Sequence, residues 1–199
     1  MRARLGALSL ALLAPLVLAA LAAGCGGPSS RWMTRGTTGL AAPAPQMARV
    51  VFIGRCGGSR MTVVDGTGRF LGQCAGDSWW AVDLPPGELD IVAWSENVEL
   101  VHATLAPGRT YHVILQQRMG AWRARVELEA FTPRHGEWQH LAEWTTPDHR
   151  MDVDLAGGDE EVHREPGAVE NRVDQGRQQW AQWSEQDRAR RTLAAEDGQ

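Results

Sequence analysis

Residues 79–115 constrain the fold more than any other stretch of the chain. They read WWAVDLPPGELDIVAWSENVELVHATLAPGRTYHVIL, with apolar side chains at every second position in four successive runs. Trp80, Val82 and Leu84 share a face of the first run, and Leu89, Ile91 and Ala93 a face of the second. Val101, Ala103 and Leu105 do so in the third, and Tyr111, Val113 and Leu115 in the fourth. This period of two marks half-buried strands. Pro85-Pro86-Gly87, Ser95-Glu96-Asn97 and Ala106-Pro107-Gly108 separate the runs. Proline fixes φ early in a turn and glycine takes the positive φ that follows.

The pattern extends on both sides. Residues 48–53 (ARVVFI) form an apolar run, and residues 60–65 and 69–73 flank Gly66-Thr67-Gly68, a hairpin signal. The third glycine and the following helix of a dinucleotide-binding loop are missing there. Residues 121–131 turn Trp122, Ala124, Val126, Leu128 and Ala130 inward. Arg123, Arg125, Glu127 and Glu129 then face out, where opposite charges pair across strands. The expectation is a mainly β chain: a small antiparallel β-sandwich of about seven to eight strands over residues 48–131, with a C-terminal α-helix.

The N-terminus reads as a targeting segment. Arg2 and Arg4 precede an apolar core from 5 to 21, and small residues lead to Cys25. An uncleaved membrane helix needs about 20 apolar residues, and this run is shorter and contains Pro15. Ala23-Gly24-Cys25 resembles the lipobox of bacterial lipoproteins, although Ala22 stands where that motif more often has leucine. The resemblance implies removal of residues 1–24, a lipidated Cys25 and a stable membrane tether. Loss of Arg2 and Arg4 would move the formal charge from −4 to −6. Gly26 rather than aspartate after the cysteine favours the outer membrane, facing the periplasm. Residues 25–47 are rich in Gly, Pro, Ser, Thr and Ala and read as a flexible linker, in which Trp32 reads as an incidental exposed side chain, against the alternative of one dipping into the lipid interface.

Two further cysteines, Cys56 and Cys74, remain. Outside the cytoplasm such a pair reads as a disulfide, against the rival of a Cys-His nucleophile. Residues 132–167 lose the alternation and read as an irregular acidic, His-containing connector, in which 135–144 add a strand or a helical turn. Residues 168–199 are rich in helix formers and read as a helical tail whose Trp180 and Trp183 touch the sandwich or a partner.

At its turns the chain is similar to a known family. Asp65-Gly66, Leu84-Pro85-Pro86-Gly87 and Pro107-Gly108-Arg109-Thr110-Tyr111 resemble the turns of bacterial lipoprotein domains of unknown function with a PEGA-like sandwich. The resemblance covers about residues 48–131. It implies a fold and a cell-envelope setting, and no catalytic residues.

All 20 basic residues are arginine, so no lysine is present to form a Schiff base or clamp a phosphate. Mixed charge argues against nucleic acid, which requires a dense basic stripe. His102 and His112 fall opposite the apolar faces of their strands; if the strands pair, two imidazoles approach, but a third metal ligand is not evident and both read as surface histidines. His135 and His140 read as solvated loop. Asp152, Asp154, Asp159, Glu160 and Glu161 read as an acidic loop, because Ala156 and His163 occupy positions where an EF-hand requires ligands. Nine tryptophans stand against one tyrosine. Trp79 and Trp94 point away from the apolar set, either as an exposed aromatic platform or covered by other elements. The expected function is a non-catalytic, lipid-anchored envelope module, binding or structural, without cofactor or metal, that meets an envelope protein. The alternative is a glycan- or peptidoglycan-binding lipoprotein using the two outward tryptophans.

Overall fold

The structure, a computed structural model, describes residues 30–36, 40–119 and 124–199. The signal segment, Cys25 and the inward assignment of Trp122 lie outside the described residues. Nine strands are present among them: β1 (Met33–Arg35), β2 (Ala48–Asp65), β3 (Phe70–Leu84), β4 (Gly87–Trp94), β5 (Val98–Leu105), β6 (Thr110–Met119), β7 (Ala124–Ala130), β8 (Met151–Val153) and β9 (Thr192–Leu193). Four α-helices follow the β-rich part: α1 (Leu141–Trp144), α2 (Leu155–Val162), α3 (Ala168–Gln182) and α4 (Glu185–Arg190). The chain is mainly β with helix at its C-terminal end, as the alternation predicts.

Residues 48–131 hold six strands rather than seven or eight, because two pairs of expected strands are continuous. The runs at 48–53 and 60–65 are one strand, β2, interrupted between Arg55 and Arg60 by a register shift at Gly57-Gly58-Ser59. β3 follows it along the whole length. The first half of β2 pairs with β6, and the second half pairs with β4. The β2–β3 ribbon therefore runs through two layers, one completed by β6 and β7 and the other by β4, β5 and β9. Extra residues of this kind let a strand turn a corner without leaving its sheet. Two pairings are parallel, β2 with β6 and β5 with β9, so the sandwich is not wholly antiparallel.

The alternation places the core correctly. Trp80, Val82, Leu84, Ile91, Ala93, Val101, Ala103, Leu105, Tyr111, Val113, Leu115, Val126, Leu128 and Ala130 all lie in the central cluster between the layers. Trp80 stacks on Phe52 at 5.2 Å and donates from Nε1 to the Leu71 carbonyl at 2.9 Å. Gly72 makes this possible: its φ is +147°, and a Cβ there would collide with the indole. At the hairpin between β2 and β3, Asp65 accepts hydrogen bonds from the amides of Thr67 and Arg69, fixing the turn on Gly68.

The composition-based linker and connector are structured where described. Ser30 is buried, and β1 pairs with β8, sending Met33 into the central core. Flexible-linker composition is overridden by these tertiary contacts. The segment after β7 wraps the sandwich. Trp138, Leu141 and Trp144 cover the outer face of the first layer, packing on Val51, Ile53, Ile114 and Phe131. α3 covers the outer face of the second layer through Val169 and Val173. α2 lies on β3, where Gly158 meets the Phe70 ring with no room for a side chain. The acidic run is thus largely a helix and not a loop: Asp154 caps α2 by accepting from the Gly157 amide, and Asp159 accepts from the Phe70 amide. The expected single helical tail divides into α3 and α4, because Ser184 starts a new helix as N-cap. Beyond it, the last residues return to the start of β6: Gln199 and Thr110 exchange backbone hydrogen bonds, and the Tyr111 hydroxyl donates to the Ala195 carbonyl.

Candidate functional site

The sheet stops just short of closing. β5 and β7 run alongside each other without a ladder, and β9 fills one end of the gap. At the other end a side chain substitutes for a strand. The Asn97 amide accepts from the Val126 N–H at 2.8 Å and donates to the Val126 carbonyl at 2.9 Å.

Charged residues fill the seam behind this clasp. Glu99 of β5 and Arg191 are both buried and meet at 2.9 Å, with the Arg191 guanidinium lying over the Trp183 ring at 4.3 Å. Asn97 and Gln179 also donate to the Glu99 carboxylate. Burial pushes the Glu99 carboxyl up to about 7, against the opposing pull of Arg191. Glu129 of β7 lies 3.2 Å from both His135 Nε2 and Arg190 Nη1. Its burial raises its pKa, but the His135 hydrogen bond and the charges of Arg190 and Arg191 outweigh that and hold it below the usual carboxylate range. A cleft of about 350 Å³ opens beside Glu129, lined by Thr132, Arg134, His135, Arg190 and Thr192 among others. Arg134, one of its lining residues, is tied to Asp197 at 2.7 Å.

Two carboxyl groups pushed in opposite directions are the pattern of an acid–base pair. Glu99 is not among the residues lining the cleft, and its carboxylate is enclosed by Arg191, Asn97 and Gln179. The pair therefore does not share an accessible substrate position; the arrangement closes the seam and leaves Glu129 facing a small cleft.

These residues were not singled out by the sequence, although one signal was present. Glu99 has the same parity as Val101, Ala103 and Leu105, so a charged residue sits in the inward register of β5. The alternation puts Glu129 on the outward face of its strand, but the turn carrying His135 and the end of α4 bury it.

The other candidates separate. Cys56 and Cys74 are joined by a disulfide with Cα atoms 6.2 Å apart, so neither is a free nucleophile. Trp79 and Trp94 do not form an exposed platform. Trp79 is 8% exposed, donates to the Thr146 carbonyl at 2.7 Å and belongs to the cluster under α1. Trp94 is partly buried against a different cluster on the other layer, the one that α3 covers. The alternation gives the outward face of each strand, but both outward faces are covered by the wrap. His102 and His112 are also apart, because β5 pairs with β4 and β9, whereas β6 pairs with β2 and β7. His102 Nδ1 lies 3.1 Å from Asp90, while His112 is packed edge-on to Trp138 and burial lowers its pKa to about 4. His135 is held between Glu129 and Phe131 and is not solvated; His140 lies beside Glu143. Among the described residues no group of three or more His, Cys, Asp or Glu side chains has metal-site geometry. No helix among them is long and apolar enough to cross a membrane.

No family model matches the chain, and no curated protein matches it.

Proposed function

We propose that this chain is a non-catalytic, lipid-anchored module of the bacterial cell envelope, of the PEGA-like sandwich kind, that supports an envelope assembly. The observation that carries the reading is the Cys56–Cys74 disulfide at the corner of the β2–β3 ribbon. Such a bond persists in an oxidising compartment, and it accounts for both cysteines other than the one preceded by the lipobox-like residues. Cys25 then takes the lipid, residues 1–24 are removed, and several acyl chains give a stable tether where a single chain gives a marginal one. The outer membrane, with the domain in the periplasm, is the favoured location.

The absence of chemistry in this reading is supported by how the perturbed groups are used. Glu99 and Glu129 each meet an arginine across the β5–β7 seam. Metabolic labelling with an alkyne fatty acid tests the anchor: wild-type protein should carry the label in the membrane fraction, and Cys25→Ser should lose it. An unlabelled wild-type protein would contradict the proposal.

A further inference from the structure

We infer that the face built by β1, β8 and the first turn of α2 rests on a phospholipid surface. Arg31, Arg35 and Arg164 meet headgroup phosphates there, and Trp32 and Leu155 sit at the apolar boundary. The inference rests on the proposed attachment of lipid at Cys25.

Chain length sets the geometry. Ser30 is buried in the domain, and three residues later Met33 enters the central core. An extended chain spans at most about 3.6 Å per residue, so Ser30 lies within about 18 Å of the Cys25 Cα. A folded domain of this size has a radius of gyration of about 15 Å. The tether is therefore too short to let the domain turn freely, and the side bearing Ser30 is held toward the bilayer. The full 25–47 stretch is not available as a spacer, because β1 fixes its middle.

The chemistry of that side suits a headgroup layer. The Arg31 guanidinium lies over the Trp32 ring at 4.4 Å. The Trp32 carbonyl accepts from the Asp154 amide at 2.8 Å, which puts the adjacent Leu155 beside it. Leu155 is 39% exposed and is one of two large apolar side chains left exposed among the described residues. Arg31 and Arg164 converge on one carboxylate, Glu161, Arg35 is exposed on β1, and the exposed carboxylates of Asp154 and Glu160 leave the face mixed in charge. Tryptophan and arginine beside an aliphatic side chain are the residues that favour a membrane interface.

The test uses the full lipidated chain in vesicles of phosphatidylethanolamine and phosphatidylglycerol carrying a lipid-borne nitroxide quencher. With Cys25 acylated and Cys56–Cys74 oxidised, an introduced cysteine is the labelling site for a fluorophore. The label at Leu155→Cys should be quenched at least twofold more than the label at Arg125→Cys on β7. Thr34→Cys on β1 should behave as Leu155→Cys does, which covers the case in which the α2 substitution disturbs folding. Equal quenching at 34, 155 and 125 in protein that floats with the vesicles would overturn the orientation and leave the anchor standing. Loss of flotation would overturn both.

Discussion

At the residue scale, Glu99 and His112 make opposite demands on pH. The folded value for Glu99 lies near 7, above its ordinary 4.5, so the stabilisation from its protonated form is fully present below about 4.5 and is lost as pH rises through 7. His112 lies near 4, below its ordinary 6.5, so its neutral form contributes above about 6.5 and that contribution is lost as pH falls through 4. One proton taken up or released per molecule corresponds to about 1.4 kcal/mol per pH unit. Between pH 4.5 and 6.5 the two slopes oppose each other, and single substitutions unmask them. In urea titrations across this range, Glu99→Gln should lose stability as the buffer is acidified, and His112→Asn should lose it as pH rises. A variant slope of the same sign in both proteins would exclude this assignment. Asn97 is the other decisive residue. Asn97→Ala leaves both polar groups of Val126 without their clasp and should cost about 1–3 kcal/mol, read from the denaturation midpoint at unchanged m-value.

At the scale of elements, the inward faces of β3 to β7 were legible because period-two alternation survives whatever else the chain does. The joins were not. β2 contains Gly57, Gly58 and Ser59, which locally read as a turn, yet the chain there bends without reversing, and the disulfide spans that corner. Replacing both Cys56 and Cys74 with alanine reopens a loop with an 18-residue separation and should cost about 3 kcal/mol, lowering the melting temperature. α2 was hidden for a related reason. Its Gly157 and Gly158 are poor helix formers, but Gly158 is the only residue type that fits against Phe70 at that spacing. Gly158→Ala should therefore destabilise the protein despite alanine's higher helix propensity, with loss of protection around α2 in hydrogen exchange. A stabilised variant would show that the contact yields freely.

At the scale of the whole molecule, the sandwich is not a self-sufficient block with a tail. Residues 132–199 cover both outer faces and brace the seam. That is why outward tryptophans, correctly assigned to their strand faces, turn out to be packed. Sequence periodicity reports which face a residue is on, but not what later arrives to cover it. Trp79→Ala should consequently cost about 3–5 kcal/mol, as a core truncation does, with no separate loss of binding.

The central claim is that this wrapped, disulfide-pinned domain is held at a membrane by Cys25. Intact-mass spectrometry of protein extracted from cells, alkylated without reductant, tests it most directly. The expected chain begins at Cys25, carries acyl groups and shows no alkylated thiol. A chain that retains residues 1–24 and is alkylated at Cys25, Cys56 and Cys74 would contradict it.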